Sequence, residues 1–274
     1  MVSIILITII ESRAFPPAPY YTVYGMVRDQ TGQVLSAQGV ELLLLKGTTV
    51  VSRSPVGSVA GLDQNYQLSM RLDTNRSNTQ FYTENALAAG GIYNLAVEMN
   101  GQRFYPIEVQ GPALTTGKGG ERVRLDLNLG EDTDHDGLPD AWEQWQLYQA
   151  GYLPGNSGWD LRLLSRNGDF DHDGVSDWME YVAGTFAGDA TERFDLAIRE
   201  KTADFVRLEF YAITGKTYTI ERSTDLKTWT RAAFSLSATA AKSETLTAPA
   251  VATRPVFVAP ASPVTPEFYR LTVR

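Results

Sequence analysis

The chain of 274 residues contains no cysteine. Disulfides, thiol nucleophiles and zinc–thiolate sites are therefore excluded. Histidine is also scarce, since only His135 and His172 occur and both lie in the acidic stretches described below. A Ser-His-Asp triad elsewhere in the chain is therefore impossible, and no phosphate-binding loop or dinucleotide fingerprint occurs. We predict a protein that is not an enzyme, although a hydrolase built on a carboxylate pair has no local motif and stays open.

Basic residues are fewer than acidic ones: 24 Lys and Arg stand against 32 Asp and Glu, which gives a net charge of −8. Ten of the carboxylates lie in two stretches of twelve residues, and without them the net charge would be +2. The chain thus has no basic stripe for a nucleic-acid partner. It also lacks an apolar run of about 20 residues, so it is not predicted to span a membrane.

The chain begins MVSIILITIIESRAF, in which a mostly apolar run is followed by Ser12-Arg13-Ala14, a small-x-small cleavage pattern. Such a segment is typical of a secretory signal, which would place the protein outside the cell or at the cell surface. The usual positive start is missing, and the isoleucine-rich run also suits a β-strand. Residues 1–19 are therefore interpreted as a signal peptide or an N-terminal strand.

Residues 20–130 have a β pattern, with many Tyr, Val and Thr between Gly-containing turns. Asn100-Gly101 predicts a two-residue hairpin turn. The last segment alternates, which would place Val123, Leu125, Leu127 and Leu129 on one face. Seven strands in about 110 residues predict a β-sandwich. The candidate strands are 20–28, 39–46, 48–53, 65–72, 92–99, 103–109 and 122–129.

The β pattern returns after residue 190, and residues 191–274 are predicted to form a second β-sandwich. Residues 131–190 lie between the two and carry both acidic stretches with short helices. The fold class that we expect is therefore mainly β, with two β-sandwich domains joined by a small α-helical insert. The candidate strands of the second sandwich are 194–200, 204–212, 216–223, 229–236, 243–248, 255–259 and 267–273.

The two acidic stretches are DTDHDGLPDAWE at 132–143 and DFDHDGVSDWME at 169–180. Each has Asp at positions 1, 3, 5 and 9, Gly at position 6 and Glu at position 12, which is the EF-hand calcium pattern. The predicted ligands are Asp132, Asp134, Asp136, Leu138, Asp140 and Glu143 in the first loop, and Asp169, Asp171, Asp173, Val175, Asp177 and Glu180 in the second.

The chemistry of calcium explains this spacing. Ca²⁺ takes six to eight oxygen ligands, and alternate residues of a tight loop direct their carboxylates to one centre. Gly permits the sharp turn, the residue at position 7 contributes its carbonyl, and Glu at position 12 adds two oxygens. A solvated acidic linker would not fix Gly and Glu at these offsets, and Mg²⁺ prefers fewer protein ligands. Two Ca²⁺ ions are predicted.

Each loop is predicted to lead into a short helix. Pro139 at position 8 of the first loop lacks an N–H group and suits the first turn of a helix. Two apolar stripes at helical spacing are interpreted as core. They consist of Leu138, Trp142 and Trp145 on the first helix and Val175, Met179 and Val182 on the second.

Three parts of the sequence resemble known families. VYGMVRDQTGQVLSAQGVELLL at 23–44 resembles the opening of carboxypeptidase-regulatory-like (transthyretin-like) sandwiches. GKTYTIERSTDLKTW at 215–229 and EFYRLTV at 267–273 resemble small, fibronectin-III-like C-terminal domains of large secreted bacterial proteins. The two acidic stretches, with EYVAGT at 180–185, resemble the thrombospondin type-3-like calcium repeats of bacterial surface proteins. Dockerins pair similar loops, but their repeats are shorter and their twelfth residue is usually Asp.

The calcium-repeat resemblance implies calcium binding, export and a structural role between neighbouring domains. The function that we predict is that of a non-enzymatic, calcium-binding structural or adhesive protein of the cell surface or extracellular matrix. One alternative is a subunit of an extracellular assembly that donates residues 2–10 as a strand to the next copy. Another is a carbohydrate-binding module with Tyr20, Tyr21, Tyr105, Trp159 and Tyr269 as stacking faces. The glycan or protein partner is not specified by the sequence.

Overall fold

The computed structural model describes residues 18–36, 38–57, 63–73, 75–77, 80–81, 85–237, 239–261 and 266–274. Residues 1–17, which include the apolar N-terminal run interpreted as a signal peptide or a strand, lie outside the described residues. The protein is mainly β, with two α-helices and two short 3₁₀-helices among the described residues.

The helices are α1 (Asp140–Gln149) and α2 (Asp177–Ala183), and the 3₁₀-helices are Ile107–Val109 and Leu161–Leu163. The strands are β1 (Tyr21–Gly25), β2 (Val27–Arg28), β3 (Glu41–Lys46), β4 (Thr49–Pro55), β5 (Tyr66–Met70), β6 (Asn75–Ser77), β7 (Gln80–Phe81), β8 (Ile92–Met99), β9 (Gln102–Phe104), β10 (Leu114–Thr115), β11 (Arg122–Arg124), β12 (Leu127–Asn128), β13 (Ala197–Lys201), β14 (Val206–Ala212), β15 (Thr217–Ser223), β16 (Thr230–Arg231), β17 (Phe234–Ser235), β18 (Leu246–Thr247), β19 (Ala252–Val258) and β20 (Phe268–Val273).

Sheets built from β1 to β12 enclose the first hydrophobic core. One sheet has the order β11-β1-β5, and another has the order β10-β8-β3-β4 with β9 added beside β8. The run of four leucines in β3 is explained by the central position of this strand, where all four side chains are buried. Leu42 and Leu44 pack into the large core, whereas Leu43 and Leu45 pack on the opposite face with Ala96. A strand buried on both faces has no need of alternation.

The hairpin predicted at Asn100-Gly101 is confirmed. Strands β8 and β9 pair in antiparallel fashion with Met99 opposite Gln102, and both turn residues have positive φ, 53° and 77°. The predicted strand 103–109 is wrong beyond Phe104, because residues 107–109 form a 3₁₀-helix after Pro106. Proline has no N–H to donate to a sheet.

The predicted strand 122–129 is divided into β11, parallel to β1, and β12, parallel to β2. The single apolar face is therefore wrong for Val123, which is 41% exposed, although Leu127 and Leu129 are buried. The division has a visible cause: the Asp126 carboxylate accepts a hydrogen bond from the Met26 N–H at 3.1 Å, where a sheet would use a carbonyl.

Strands β13 to β20 form the second set of sheets, with orders β13-β14-β19-β17 and β16-β15-β18, and with β20 beside β15. The longest pairing joins β14 to β19 from Val206–Val258 to Ala212–Ala252. The strand predicted at 255–259 therefore begins earlier, and the one predicted at 229–236 is split into β16 and β17. The buried core between the sheets includes Phe210, Tyr218 and Val256.

A third hydrophobic cluster lies around the two helices and includes Leu138, Trp142, Leu164 and Tyr181. The rings of Trp142 and Tyr181 meet edge to face at 5.6 Å and join the helices.

The apolar stripes predicted for the helices are wrong at two residues, Trp145 at 53% exposure and Met179 at 37%. The inward face of each helix instead includes the glutamate at loop position 12, Glu143 or Glu180, and both glutamates are fully buried. In α2 the residue after this glutamate, Tyr181, provides the core contact in place of Met179.

Candidate metal sites

The first acidic loop is organised by its own aspartates. The two carboxylate oxygens of Asp132, at position 1, accept hydrogen bonds from the N–H groups of Asp136 at 3.1 Å and Gly137 at 3.0 Å. Asp136 Oδ1 in turn accepts from the Leu138 N–H at 2.7 Å. These bonds draw the loop tightly around one point.

The second loop repeats this network. Asp169 accepts from the N–H groups of Asp173 at 3.1 Å and Gly174 at 3.0 Å, and Asp173 Oδ1 accepts from the Val175 N–H at 2.7 Å. The same loop positions therefore make the same hydrogen bonds in both loops, although some of the residues differ between the loops.

The aspartates at position 9 close each loop onto its helix. Asp140 Oδ1 accepts from the Thr133 N–H at 2.8 Å, and Asp177 Oδ1 accepts from the Phe170 N–H at 2.9 Å. Each is also the first residue of its helix. The helix then brings the glutamate at position 12 back toward the loop after one turn.

The glycines at position 6, Gly137 and Gly174, both have a φ of 93°. L-residues rarely adopt this angle, so the sharp turn requires glycine. The preceding residues at position 4, His135 and His172, are exposed and have a φ of 63°.

Several buried carboxylate oxygens in the loops accept no hydrogen bond from the described residues. In the first loop they are both oxygens of Glu143 and Oδ1 of Asp134. In the second loop they include Oε2 of Glu180 and Oδ2 of Asp171. A buried charged oxygen without a partner is costly, and almost all such groups in proteins are paired. A cation in each loop would satisfy these oxygens, so the residues fit a metal ion.

The carboxylate oxygens at positions 1, 3 and 5 of each loop lie close enough together to share one metal ion. Ligand oxygens of Asp132, Asp134 and Asp136 all lie within 4.8 Å of one another, and one oxygen each from Asp169, Asp171 and Asp173 forms the same kind of group.

Burial and mutual repulsion disfavour negative charge in both loops. Burial, with the nearby charge of Asp136, raises the pKa of Glu143 to about 9. Burial, with the nearby charge of Asp171, raises the pKa of Glu180 to about 8. Burial also raises the pKa of Asp134. Each loop therefore concentrates carboxylates. Among the described residues, Arg162 interacts electrostatically with Asp134 in the first loop, and Arg193 Nε lies 3.5 Å from Asp173 Oδ2 in the second.

No protein-family model, curated protein or solved structure matches the chain. Among the described residues, no helix has both the length and the apolar character that a bilayer crossing requires. The proposal below therefore rests on the chemistry of the residues themselves.

The structure brings together the aspartates at positions 1, 3 and 5 of each loop and buries those at position 9 and the glutamates at position 12. Of the residues predicted to contribute a carbonyl, Leu138 is fully buried in the helical cluster and Val175 is half-buried.

Sequence reasoning missed the segment that connects the loops. The N–H of Ser165 donates to Asp177 Oδ2 at 2.8 Å, and the N–H of the next residue, Arg166, donates to Asp136 Oδ2 at 3.1 Å. The Arg166 guanidinium also lies 3.6 Å from the ring centre of Trp178 on α2. Adjacent peptide groups thus contact aspartates of both loops. Backbone donors leave no signal in a sequence, so the pattern could not have revealed them.

The aromatic residues of the glycan-binding alternative are unequally accessible. Tyr20 and Tyr105 are exposed, whereas Trp159 and Tyr269 are half-buried. Tyr21 is only 4% exposed and packs in the first core, so it is wrong as a stacking face.

Proposed function

We propose that the chain is an exported, non-enzymatic, calcium-binding structural or adhesive protein of the cell surface or extracellular matrix. In this proposal two Ca²⁺ ions rigidify a small helical insert, residues 131–190, between two β-sandwich domains, residues 20–130 and 191–274. The observation that carries the proposal is the repeated loop network, whose buried carboxylate oxygens lack partners. A main buried cluster in each of these three regions, among the described residues, supports the division into domains.

The residues that would hold the ions are the side chains at positions 1, 3, 5, 9 and 12 and the carbonyl at position 7 of each loop. Bound Ca²⁺ would neutralise the repulsion among the five carboxylates of a loop. The loop aspartates already bind their own backbone N–H groups, so they hold the carboxylates near the required geometry. Because the chain has no disulfide, a metal cross-link is the available means of fixing the loops.

Thermal unfolding in Ca²⁺, in Mg²⁺ and in a chelator tests the proposal. At a calcium concentration of about 100 Kd each site would stabilise the native state by about 2.7 kcal/mol. For domains of about 60 to 110 residues that corresponds to a rise in Tm of roughly 11–22 °C per site. We expect this rise in Ca²⁺, a much smaller one in Mg²⁺, and none in chelator.

Glu143→Gln and Glu180→Gln are the matched loop variants, since each keeps the size of the side chain and removes one negative charge. Each should lose about half of the calcium-dependent rise. Glu131→Gln, an exposed glutamate just before the first loop, is the control and should retain all of it. Equal Tm values in calcium and chelator for the unmodified chain would refute the calcium proposal.

Neither alternative function gains a specific observation. Residues 2–10, the segment of the strand-donation hypothesis, lie outside the described residues, and mass spectrometry of the mature N-terminus tests that hypothesis because cleavage after residue 14 would remove them. The glycan-binding hypothesis loses Tyr21 from its set of stacking faces.

A further inference from the structure

Lys216, just before β15, places a positive group in the interior of the molecule. The residue is 1% exposed, and its Nζ donates to the carbonyl oxygens of Gly32 at 2.8 Å and Val182 at 2.7 Å. Gly32 follows β2 and Val182 lies in the last turn of α2. One side-chain nitrogen therefore joins three segments that are far apart in the sequence.

Lys216 has no ion pair with a carboxylate among the described residues. Burying an ammonium group without a counter-ion is unfavourable. Burial lowers the pKa of Lys216 to about 7; the nearby charge of Arg28 acts in the same direction, and the charge of Asp29 opposes it. A neutral amine retains two N–H donors, which equals the number of carbonyl acceptors here. The lysine thus contributes two directed hydrogen bonds, and a non-polar side chain at this position would make neither.

Tyr181 on α2 fixes the same turn from another side. It is fully buried, and its hydroxyl donates to the Asp29 carbonyl at 2.8 Å. Gly32, at the other end of this turn, has a φ of 80°, and a Cβ added there would lie 2.2 Å from the Tyr181 carbonyl oxygen. The turn therefore approaches α2 so closely that only glycine fits at position 32.

The calcium loop and these contacts share one short helix. Glu180, at position 12 of the second loop, directly precedes Tyr181 and is two residues before Val182. Since α2 has only seven residues, about two turns, a displacement of Glu180 would move the other two residues with it. Ligand placement and contacts to both β regions are therefore mechanically connected.

We propose that Tyr181 and Lys216, with the carbonyls of Asp29, Gly32 and Val182, form an interdomain clamp that is coupled to the second calcium loop. The clamp positions the N-terminal sheets relative to the C-terminal ones. Calcium binding at the second loop and closure of the clamp stabilise each other, and by linkage each effect must have the same magnitude. This inference rests on the proposed function, because it requires the second loop to hold calcium.

The test measures the distance between the two β regions in the full chain. Because the protein has no cysteine, Thr48→Cys and Ala241→Cys at exposed positions provide two unique sites for spin labels. With calcium, double electron–electron resonance spectroscopy should give one narrow distribution of the distance between the two spin labels. Lys216→Met should broaden it even in calcium, whereas Lys227→Met, which replaces an exposed lysine, should leave it unchanged.

Calorimetry with calcium gives the second readout. In a Glu143→Gln background, which isolates the second loop, Lys216→Met should weaken calcium binding by roughly 5-fold or more. Tyr181→Phe, which keeps the ring and removes only the hydroxyl, should shift both readouts in the same direction by a smaller amount. If the Lys216→Met variant does not fold, the Tyr181→Phe variant still tests the clamp.

Two results would overturn the clamp in distinguishable ways. If the second loop binds no calcium in the unmodified chain, the proposed function and the coupling both fail. If it binds calcium but the variants leave its affinity and the distance distribution unchanged, only the clamp is refuted, and the calcium proposal stands.

Discussion

At the residue scale, the notable side chains are buried ionisable groups. Glu143, Glu180 and Lys216 are each at most 1% exposed, yet none has an opposite charge as a hydrogen-bonding partner among the described residues. The glutamates have oxygens without donors, which suits a cation. The lysine has two carbonyl acceptors, which suits a neutral amine. Burial disfavours the charged form of all three side chains. What differs is the set of neighbouring groups, which suits a bound cation at the glutamates and a neutral amine at the lysine.

Lys216 should make stability depend on pH. Its folded pKa of about 7 lies below the unfolded value of 10.5, so between these values the unfolded chain binds more protons. The free energy of unfolding should therefore rise with pH above about 7, by up to about 1.4 kcal/mol per pH unit from this group.

Denaturant unfolding at pH 7, 8 and 9 in saturating calcium measures this effect. Lys216→Met should lack this contribution to the slope. Parallel pH profiles for the variant and the unmodified chain would contradict the expected buried, neutral lysine.

The glycines at position 6 give a second expectation. Replacing Gly174 with alanine forces a side chain into a φ of 93°, which costs about 1–3 kcal/mol. We expect a weaker calcium site and a lower Tm. Gly111→Ala is the control, because that residue has no positive φ and open space around it. Calorimetry and thermal unfolding of both variants check the difference, and equal losses would argue against a special role for position 6.

At the scale of elements, the two acidic loops are physically connected. They are joined by the Ser165–Arg166 peptide groups and by the Trp142–Tyr181 ring contact between α1 and α2. Pro139 removes the N–H that a direct ladder between EF-hand loops would use at position 8 of the first loop. The contacts that replace the ladder therefore come from the connecting segment and the helices.

This arrangement should couple the two sites. Removing the second site with Glu180→Gln should weaken calcium binding at the first loop, and Glu143→Gln should weaken the second by the same factor. A coupling of about 5-fold is at the lower end of the usual range. Calorimetric titration of the two variants and the unmodified chain measures both factors. If each variant left the calcium affinity of the other loop unchanged, the contacts at residues 165–166 would not couple the two sites.

At the scale of the whole molecule, the described residues include a main buried cluster in each of the three regions of the chain. The third is built around the helices that follow the two acidic loops and contacts the other two regions through Tyr181 and Lys216. In the proposed protein, calcium would therefore fix the positions of the two β regions relative to each other, in addition to stabilising the loops.

Hydrogen exchange should reveal this directly. On adding calcium to chelated protein, amides in residues 165–183 should become at least about 10-fold more protected, because opening of a region must then also release the ion. The paired amides of β14 and β19 are an internal control and should change little. Mass spectrometry of the exchanged peptides measures both. Equal exchange of residues 165–183 with and without calcium would contradict calcium bracing of the insert.

The sequence by itself determined the features that depend on local spacing. The carboxylates at positions 1, 3, 5, 9 and 12, the glycine at position 6 and the Asn100-Gly101 turn each act through the backbone within a few residues, so their pattern is visible in the chain. The mainly β character is equally local. Tertiary structure decided the rest, because burial depends on what packs from elsewhere. It divided the strand at Asp126, exposed Trp145 and Met179, left the Glu143 oxygens without donors, and brought Lys216 to the carbonyl of a glycine 184 residues away.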